Sequence, residues 1–413
     1  MLGDGGFGPP PRRRGSGNVL THIIMAVLGA ALAVALLLSF YSPGSGGLSL
    51  PGSGAVPGPA PSAAPLTGGE QAIVAKVRPG LVIINATLQY DGEIAAGTGM
   101  VINADGLVLT NNHVIEDSTK ITATVVSTGK TYVATVIGYD VTGDVALLQL
   151  RGASGLATVP VGNSSAVRTG DAVVALGNAE GQGSITATAG RVTGLDQTIT
   201  ASDEGGSTAS ETLYGMIQTN ADIVPGDSGG PLASSAGVIG IDTAGNDAGS
   251  QQAATGFAIP VDTALSVARQ IAGGHASPTI MIGYPPFLGI FVGSGSASSP
   301  QAQQQQQEEQ NGGLGSSQAC YTSNADLTVP STIAPVSSGT LVIGTICGSP
   351  AASAGLTGGA VITAVNGQPA ASPDDLTGIL ARFHPGQVIS VTWVSPSGHK
   401  TASRVQLAAG PPQ

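Results

Sequence analysis

The sequence has 413 residues, enough for two domains with a tail or anchor. With 63 Gly, 27 Pro, 9% charged and 3% aromatic residues, it favours short strands joined by Gly-rich turns over long helices. A formal net charge of -11 argues against a nucleic-acid partner.

In chain order, Arg12, Arg13 and Arg14 come first, followed by an apolar stretch from Val19 to Tyr41. Ile23 to Phe40 is free of charge and, at about 1.5 Å per residue, spans roughly 27 Å, close to a bilayer's hydrocarbon core. Arginines on one side only put the N-terminus inside and the rest of the chain outside. The expectation is a cytoplasmic segment over 1–18 and a single-pass membrane anchor over 19–41. The alternative is a cleaved signal peptide, with secretion. Against cleavage, Phe40, Tyr41 and Pro43 stand where small residues are wanted. Residues 42–69 read as a disordered Gly/Pro/Ser/Ala linker.

A first folded unit is expected over 70–275. Ala72, Ile73 and Val77 share one helical face before Pro79. Then come short apolar runs cut by Gly, Asn and Asp, among them "LVIINATL", "GTGMVIN", "DVALLQL" and "GVIGIDTAG". That spacing predicts an all-β barrel or sandwich, with length for two barrels. "VDTALSVARQIAGG" closes the unit as a helix. A second, α+β unit is expected over 276–410, broken by a low-complexity and mobile Gln/Ser/Gly insert at 294–318. Within it, Ser372, Pro373 and Asp375 mark a helix start. Cys320 and Cys347 fit an oxidising exterior. Paired, they close a loop of 28 residues.

The chemistry lies in "IVPGDSGGPL", Ile223 to Leu232. A serine hydroxyl is a poor nucleophile until an imidazole takes its proton and a buried carboxylate orients that imidazole. "VLTNNHVIED" places His113 on a turn after a strand, and "YDVTGDVALLQL" places Asp144 directly before one. Asp140, four residues earlier, is the competing acid. The order His113, Asp144, Ser228 is that of the all-β serine proteases, in agreement with the strand pattern. Gly226 has the backbone freedom to aim its N–H, with that of Ser228, at one oxyanion, so Gly226, Asp227 and Ser228 frame the expected oxyanion hole. No metal-ligand or phosphate-binding spacing occurs, and no cofactor is expected.

"TNNHVI", "GDVALLQL" and "PGDSGGPL", followed by "GFAIP", resemble the HtrA-type trypsin-like serine proteases with a C-terminal PDZ domain. "ALGNAEGQG", "SPTIMIGYPPFLGI" and "HPGQVISVTW" resemble the actinobacterial secreted PepA branch. The resemblance implies a chymotrypsin-like double β-barrel followed by an α+β PDZ domain, and an extracytoplasmic endopeptidase acting on unfolded or exposed polypeptides. It implies Asp144 over Asp140 as the orienting acid. It also implies peptide capture by Phe287, Leu288, Gly289 and Ile290, walled by Leu376, Ile379 and Leu380, and a homotrimer. The loop from Gln197 to Gly215, polar and mobile, would relay PDZ occupancy. A chaperone or PDZ scaffold with low turnover is the alternative function. Two signals disagree over the cleavage preference. Asp222, six positions before Ser228, stands where trypsin-like relatives carry the acid that selects Arg or Lys. HtrA-type proteins usually have a small residue there. The less costly arrangement turns Asp222 outward and leaves Ile223 and Val224 to form an aliphatic pocket.

Overall fold

The computed structural model describes residues 65–90, 93–202, 210–246, 255–293, 296–311, 314–315 and 318–412. The expected anchor over 19–41, the cytoplasmic segment and most of the linker lie outside them. Among the described residues no helix is long and apolar enough to cross a membrane.

Helix α1, Gly68–Val77, opens with a capping box between Thr67 and Glu70 and ends where Arg78–Gly80 tightens into a 3₁₀ turn. It buries Ile73 and Val77, whereas Ala72 is exposed. The first sheet contains β1 (Leu81–Leu88), β2 (Glu93–Asn103), β3 (Leu107–Thr110), β4 (Lys120–Val125), β5 (Thr131–Asp140) and β6 (Val145–Leu150). The order is β5-β4-β1-β2-β3-β6, and β6 pairs back with β5. The next six strands are β7 (Ala172–Gly177), β8 (Thr186–Ser202), β9 (Ser210–Thr219), β10 (Pro231–Ser234), β11 (Gly237–Asn246) and β12 (Thr255–Pro260). They form a closed barrel in the order β10-β11-β12-β9-β8-β7.

Strand alternation explains how the two barrels join. Along β1, Val82 and Ile84 face a core with Val101, Val108 and Leu148 inside the first barrel. Leu81 and Ile83 face the other way, into a cluster shared with Val174, Leu176, Met216 and Ile241 of the second barrel. Helix α2, Val261–Ala272, adds Val261, Ala264, Ala268 and Ile271 to the same cluster, at the spacing of one helical face. This shared core fixes the edges of the two barrels against each other, and the site lies there. Strand β13, Ile280–Ile282, past the expected boundary at 275, still pairs with β5.

The C-terminal sheet starts from β14 (Pro286–Phe287) and β15 (Ile290–Val292). Helix α3 (Pro300–Asn311) and the short pair β16 (Leu314–Gly315) and β17 (Val329–Pro330) follow. Then come β18 (Thr340–Thr345), helix α4 (Pro350–Ser353), β19 (Val361–Val365), β20 (Gln368–Pro369) and helix α5 (Pro373–Leu380). β21 (Val388–Val394), β22 (Lys400–Gln406) and β23 (Ala408–Ala409) end the chain. β15-β18-β19-β21-β22 form one sheet, with β15 at its edge, and β23 pairs with β14.

Two segments differ from the sequence reading. The insert at 294–318 contains α3, where a mobile stretch was expected. Gln303 is buried there, and its amide donates to Gly339 O at 2.7 Å and Ala297 O at 2.6 Å while accepting from Leu341 N at 2.7 Å. One glutamine thus pairs with the backbone at the start of β18 as a neighbouring strand would. The segment from Gln197 to Gly215 is mostly the hairpin of β8 and β9, with Ile199 opposite Leu213, and both pack on the shared core. Its tip, 203–209, is outside the described residues.

Candidate active site

Three strand ends and one tight loop bring the site together. Asp144 lies in the turn between β5 and β6 with φ 48°, a left-handed backbone that costs a non-glycine residue about 1 kcal/mol or more. Its main chain is held by Val141 O and by Asn111 Nδ2, which donates to Asp144 O at 2.8 Å. The buried carboxylate faces His113, whose Nδ1 lies 2.9 Å from Oδ2 and 3.1 Å from Oδ1. The His113 backbone N–H donates to Oδ1 at 3.1 Å, and Thr243 Oγ1 donates to Oδ2. Asp140, the competing acid, instead accepts from Gly143 N at 3.2 Å and caps the turn.

Ser228 approaches from the second barrel. Its Oγ donates to Thr243 O at 3.3 Å. Thr243 therefore touches two members of the trio: its hydroxyl binds Asp144 and its carbonyl takes the Ser228 hydroxyl. Across the interface, Thr98 N donates to Ser228 O and Thr98 Oγ1 donates to Gly226 O, both at 2.9 Å. The loop needs its glycines. Gly226 has φ 91°, and a Cβ there would fall 2.3 Å from Asn178 O. At Gly229, φ 83°, a Cβ would fall 2.0 Å from Thr98 O.

The Pro225 carbonyl accepts from Glu180 N at 2.6 Å. Across the planar trans peptide, this turns the Gly226 N–H to the opposite side. Asp227, Gly229 and Gly230 spend their N–H groups on Val224 O, Asp242 O and Asp227 O. Asp227 Oδ2 also accepts from Val224 N at 3.1 Å. Burial pushes the Asp227 carboxyl up to about 6, against the pull of that bond and with help from the charge of Asp222.

Asp222 is exposed. Ile223 is buried and packs with Ala221, Ile217 and Ala258 of the second barrel, its Cδ1 2.6 Å from where a Cβ at Gly256 would stand. Val224 is half-buried beside it. Among the described residues no three His, Cys, Asp or Glu side chains converge to hold a metal ion.

In the C-terminal unit, Phe287 to Ile290 are together but already engaged. Phe287 pairs through β14 and stacks on Tyr90 of the β1–β2 turn, centroids 6.0 Å apart. Leu288 is buried in one core with Leu376 and Ile379, and Leu380 packs at its edge. Gly289 O accepts from Ile346 N and Ser349 Oγ, both at 3.0 Å. Ile290 begins the edge strand β15. Cys320 and Cys347 are bonded, with Cα atoms 4.9 Å apart.

Sequence reasoning missed Thr98, Asn111 and Thr243. Thr98 and Thr243 lie inside strands and Asn111 just after one, each a small polar residue with no motif to separate it from the other threonines and asparagines.

A family model described as a trypsin-like peptidase domain matches residues 97–241, from just before Thr98 to the strand that leads into Thr243. The serine protease PepD of Mycobacterium tuberculosis is 30% identical over 423 aligned positions, covering 97% of this chain and 80% of that relative. The chain belongs to the HtrA family of trypsin-like serine proteases. The periplasmic pH-dependent serine endoprotease DegQ of Escherichia coli is 32% identical over 297 positions, 71% of this chain and 55% of DegQ. The Do-like serine protease HtrB of Bacillus subtilis is 36% identical over 180 positions, 42% of this chain and 38% of HtrB. This HtrA-family chain is an extracytoplasmic serine endopeptidase with a mainly β, trypsin-like fold.

Proposed function

We propose that Ser228 is the nucleophile, His113 the general base and then acid, and Asp144 the group that orients the imidazole. The observation that carries this is the Asp144 carboxylate against His113 Nδ1, with the Ser228 hydroxyl held one residue away on Thr243 O. With Nδ1–H bonded to Asp144, Nε2 is left as the base. The Ser228 hydroxyl swings from Thr243 O to that nitrogen, gives up its proton and attacks the scissile carbonyl. The oxyanion is received by the N–H groups of Gly226 and Ser228. Collapse of the intermediate expels the amine with the proton from His113, and water repeats the sequence on the acyl-enzyme.

The aliphatic reading of the specificity pocket is supported by the exposed Asp222 and by Ile223 filling the space above Gly256. Such a pocket is shallow and uncharged and takes a small or branched aliphatic side chain. The C-terminal unit is a PDZ domain that takes hydrophobic peptide C-termini beside Gly289 and alters turnover. The segment over 19–41 anchors the enzyme, its catalytic domain outside, and the assembly is a homotrimer. Substrates are unfolded or exposed polypeptides.

The deciding test is labelling by an active-site fluorophosphonate. Wild type is expected to be labelled and Ser228→Ala not. Equal labelling of the two removes the reading.

A further inference from the structure

Two acids behind the nucleophile have no place in the triad. Asp242 lies on β11, one residue before Thr243, and is fully buried. It is opposite Ala258 in the ladder, and Ala258 packs inside the second barrel, so the Asp242 side chain points into that apolar interior. Neither of its carboxyl oxygens makes a well-formed hydrogen bond. Asp227, 5% exposed, binds Val224 N through one oxygen and leaves the other, Oδ1, buried without a partner. Burial, reinforced by the charge of Asp227, pushes Asp242 well above the ordinary carboxylate range, against a smaller pull from the Leu176 backbone.

The surroundings offer no compensation. Strands β7, β10 and β12, which wall the two acids, carry no titratable side chain. The other charged groups nearby are Asp222, exposed on the loop before Asp227, Glu180, exposed beside Pro225, and the Asp144–His113 pair beyond Thr243. Two adjacent buried carboxyls with no cation cannot both ionise at modest cost. One proton on the pair is the low-energy state. Asp242, inside the barrel, holds it, and Asp227, bonded to Val224 N–H, carries the charge.

The main chain ties this pair to Ser228. Gly229 N donates to Asp242 O and Asp242 N donates to Gly230 O, each at 2.8 Å, so the two residues after Ser228 are bonded to Asp242 itself. We propose that Asp242 is a positioning residue for the nucleophile: the Asp227–Asp242 pair shares one proton, and losing it at alkaline pH repels the acids apart and releases the loop that carries Ser228. This rests on Ser228 as the nucleophile.

The test compares wild type with Asp242→Asn and Asp242→Ser, two neutral replacements of different size. Two readouts are followed from pH 5 to 10: kcat/KM normalised to each protein's own maximum, and melting temperature. Wild-type kcat/KM is expected to fall on the alkaline side by about tenfold per pH unit once the pair has lost its proton. Both variants should lose that limb. The folded state holds the Asp242 proton more tightly than the unfolded chain, so wild type loses stability as pH rises through the raised value. The variants' melting temperatures should therefore gain on wild type with rising pH. Alkaline limbs that superimpose, or a melting difference that does not change with pH, overturn the proposal. Fluorophosphonate labelling at pH 7 separates the failures. An unlabelled wild type removes the nucleophile assignment, whereas the melting curves judge the carboxyl pair without any need for activity.

Discussion

Thr243 shows how much one side chain carries at this site. Its hydroxyl is one of three donors on the Asp144 carboxylate, beside the ring and backbone nitrogens of His113. A hydrogen bond to a charged group is worth about 1.5–3 kcal/mol, so Thr243→Val should lower kcat/KM by about tenfold to a hundredfold. Thr243→Ser, which keeps the hydroxyl, should restore most of it. Equal activity in the two variants would show that the hydroxyl is idle. At Asp144 itself, Asp144→Asn should leave the melting temperature near wild type and lower kcat by on the order of 10⁴, because the imidazole is then held in the wrong tautomer. Asp227 gives a pH prediction. Its folded value of about 6 is above the ordinary value of about 3.9 for the unfolded chain. The stability it contributes is complete below about pH 4 and is lost as pH rises through 6. Asp227→Asn keeps an acceptor for Val224 N and removes the ionisation. Its melting temperature should rise relative to wild type between pH 4 and 7, and a constant difference would contradict the assignment.

At the scale of elements, hydrophobic alternation and turn chemistry decide most of what forms. β1 places Val82 and Ile84 on one face and Leu81 and Ile83 on the other, and both faces find a core. Composition misleads in α3. A run of glutamines has no apolar face, yet Gln303 enters the C-terminal unit and satisfies Leu341 N and Gly339 O. Gln303→Ala leaves both backbone groups buried and unpaired, at a cost of about 2 kcal/mol. Melting should show the loss while basal cleavage of a short peptide is unchanged. A wild-type melting curve would mean that the helix adds nothing to the fold.

Across the whole molecule, the protease and the C-terminal unit meet near the catalytic machinery. Tyr90 stacks on Phe287, Asn324 N donates to Tyr90 O at 2.7 Å, and Asp117 N donates to Pro412 O at 2.9 Å, four residues past His113. The first two contacts tie the loop proposed to receive a peptide C-terminus and the Asn324 turn to the β1–β2 turn, and the third ties the end of the C-terminal unit to the turn that carries His113. Tyr90→Ala should therefore blunt the change in turnover on adding a hydrophobic C-terminal peptide and leave cleavage without peptide intact. An undiminished response would exclude this route. The position of β13 also sets where the chain can be cut. Ile280 belongs to the core shared by the barrels, so truncation after Gly274 should melt lower than truncation after Tyr284.

The sequence by itself determined the mainly β architecture and the reaction class, and singled out His113, Ser228 and the glycines around Ser228 as candidates, with Asp140 and Asp144 both open as the acid. These depend on local rules: strand alternation, turn residues and short motifs whose glycines are demanded by backbone geometry. The choice of Asp144 over Asp140 came from resemblance, and that Asp144 faces His113 while Asp140 caps the turn is visible only once β5 and β6 turn back on each other. Only the tertiary structure revealed Thr98 and Thr243, the burial of Gln303 and the Asp227–Asp242 pair. Those depend on which atoms meet after strands and loops from 15 to 128 positions apart are packed together. A threonine, a glutamine or an aspartate looks the same in sequence whether water or a barrel interior surrounds it.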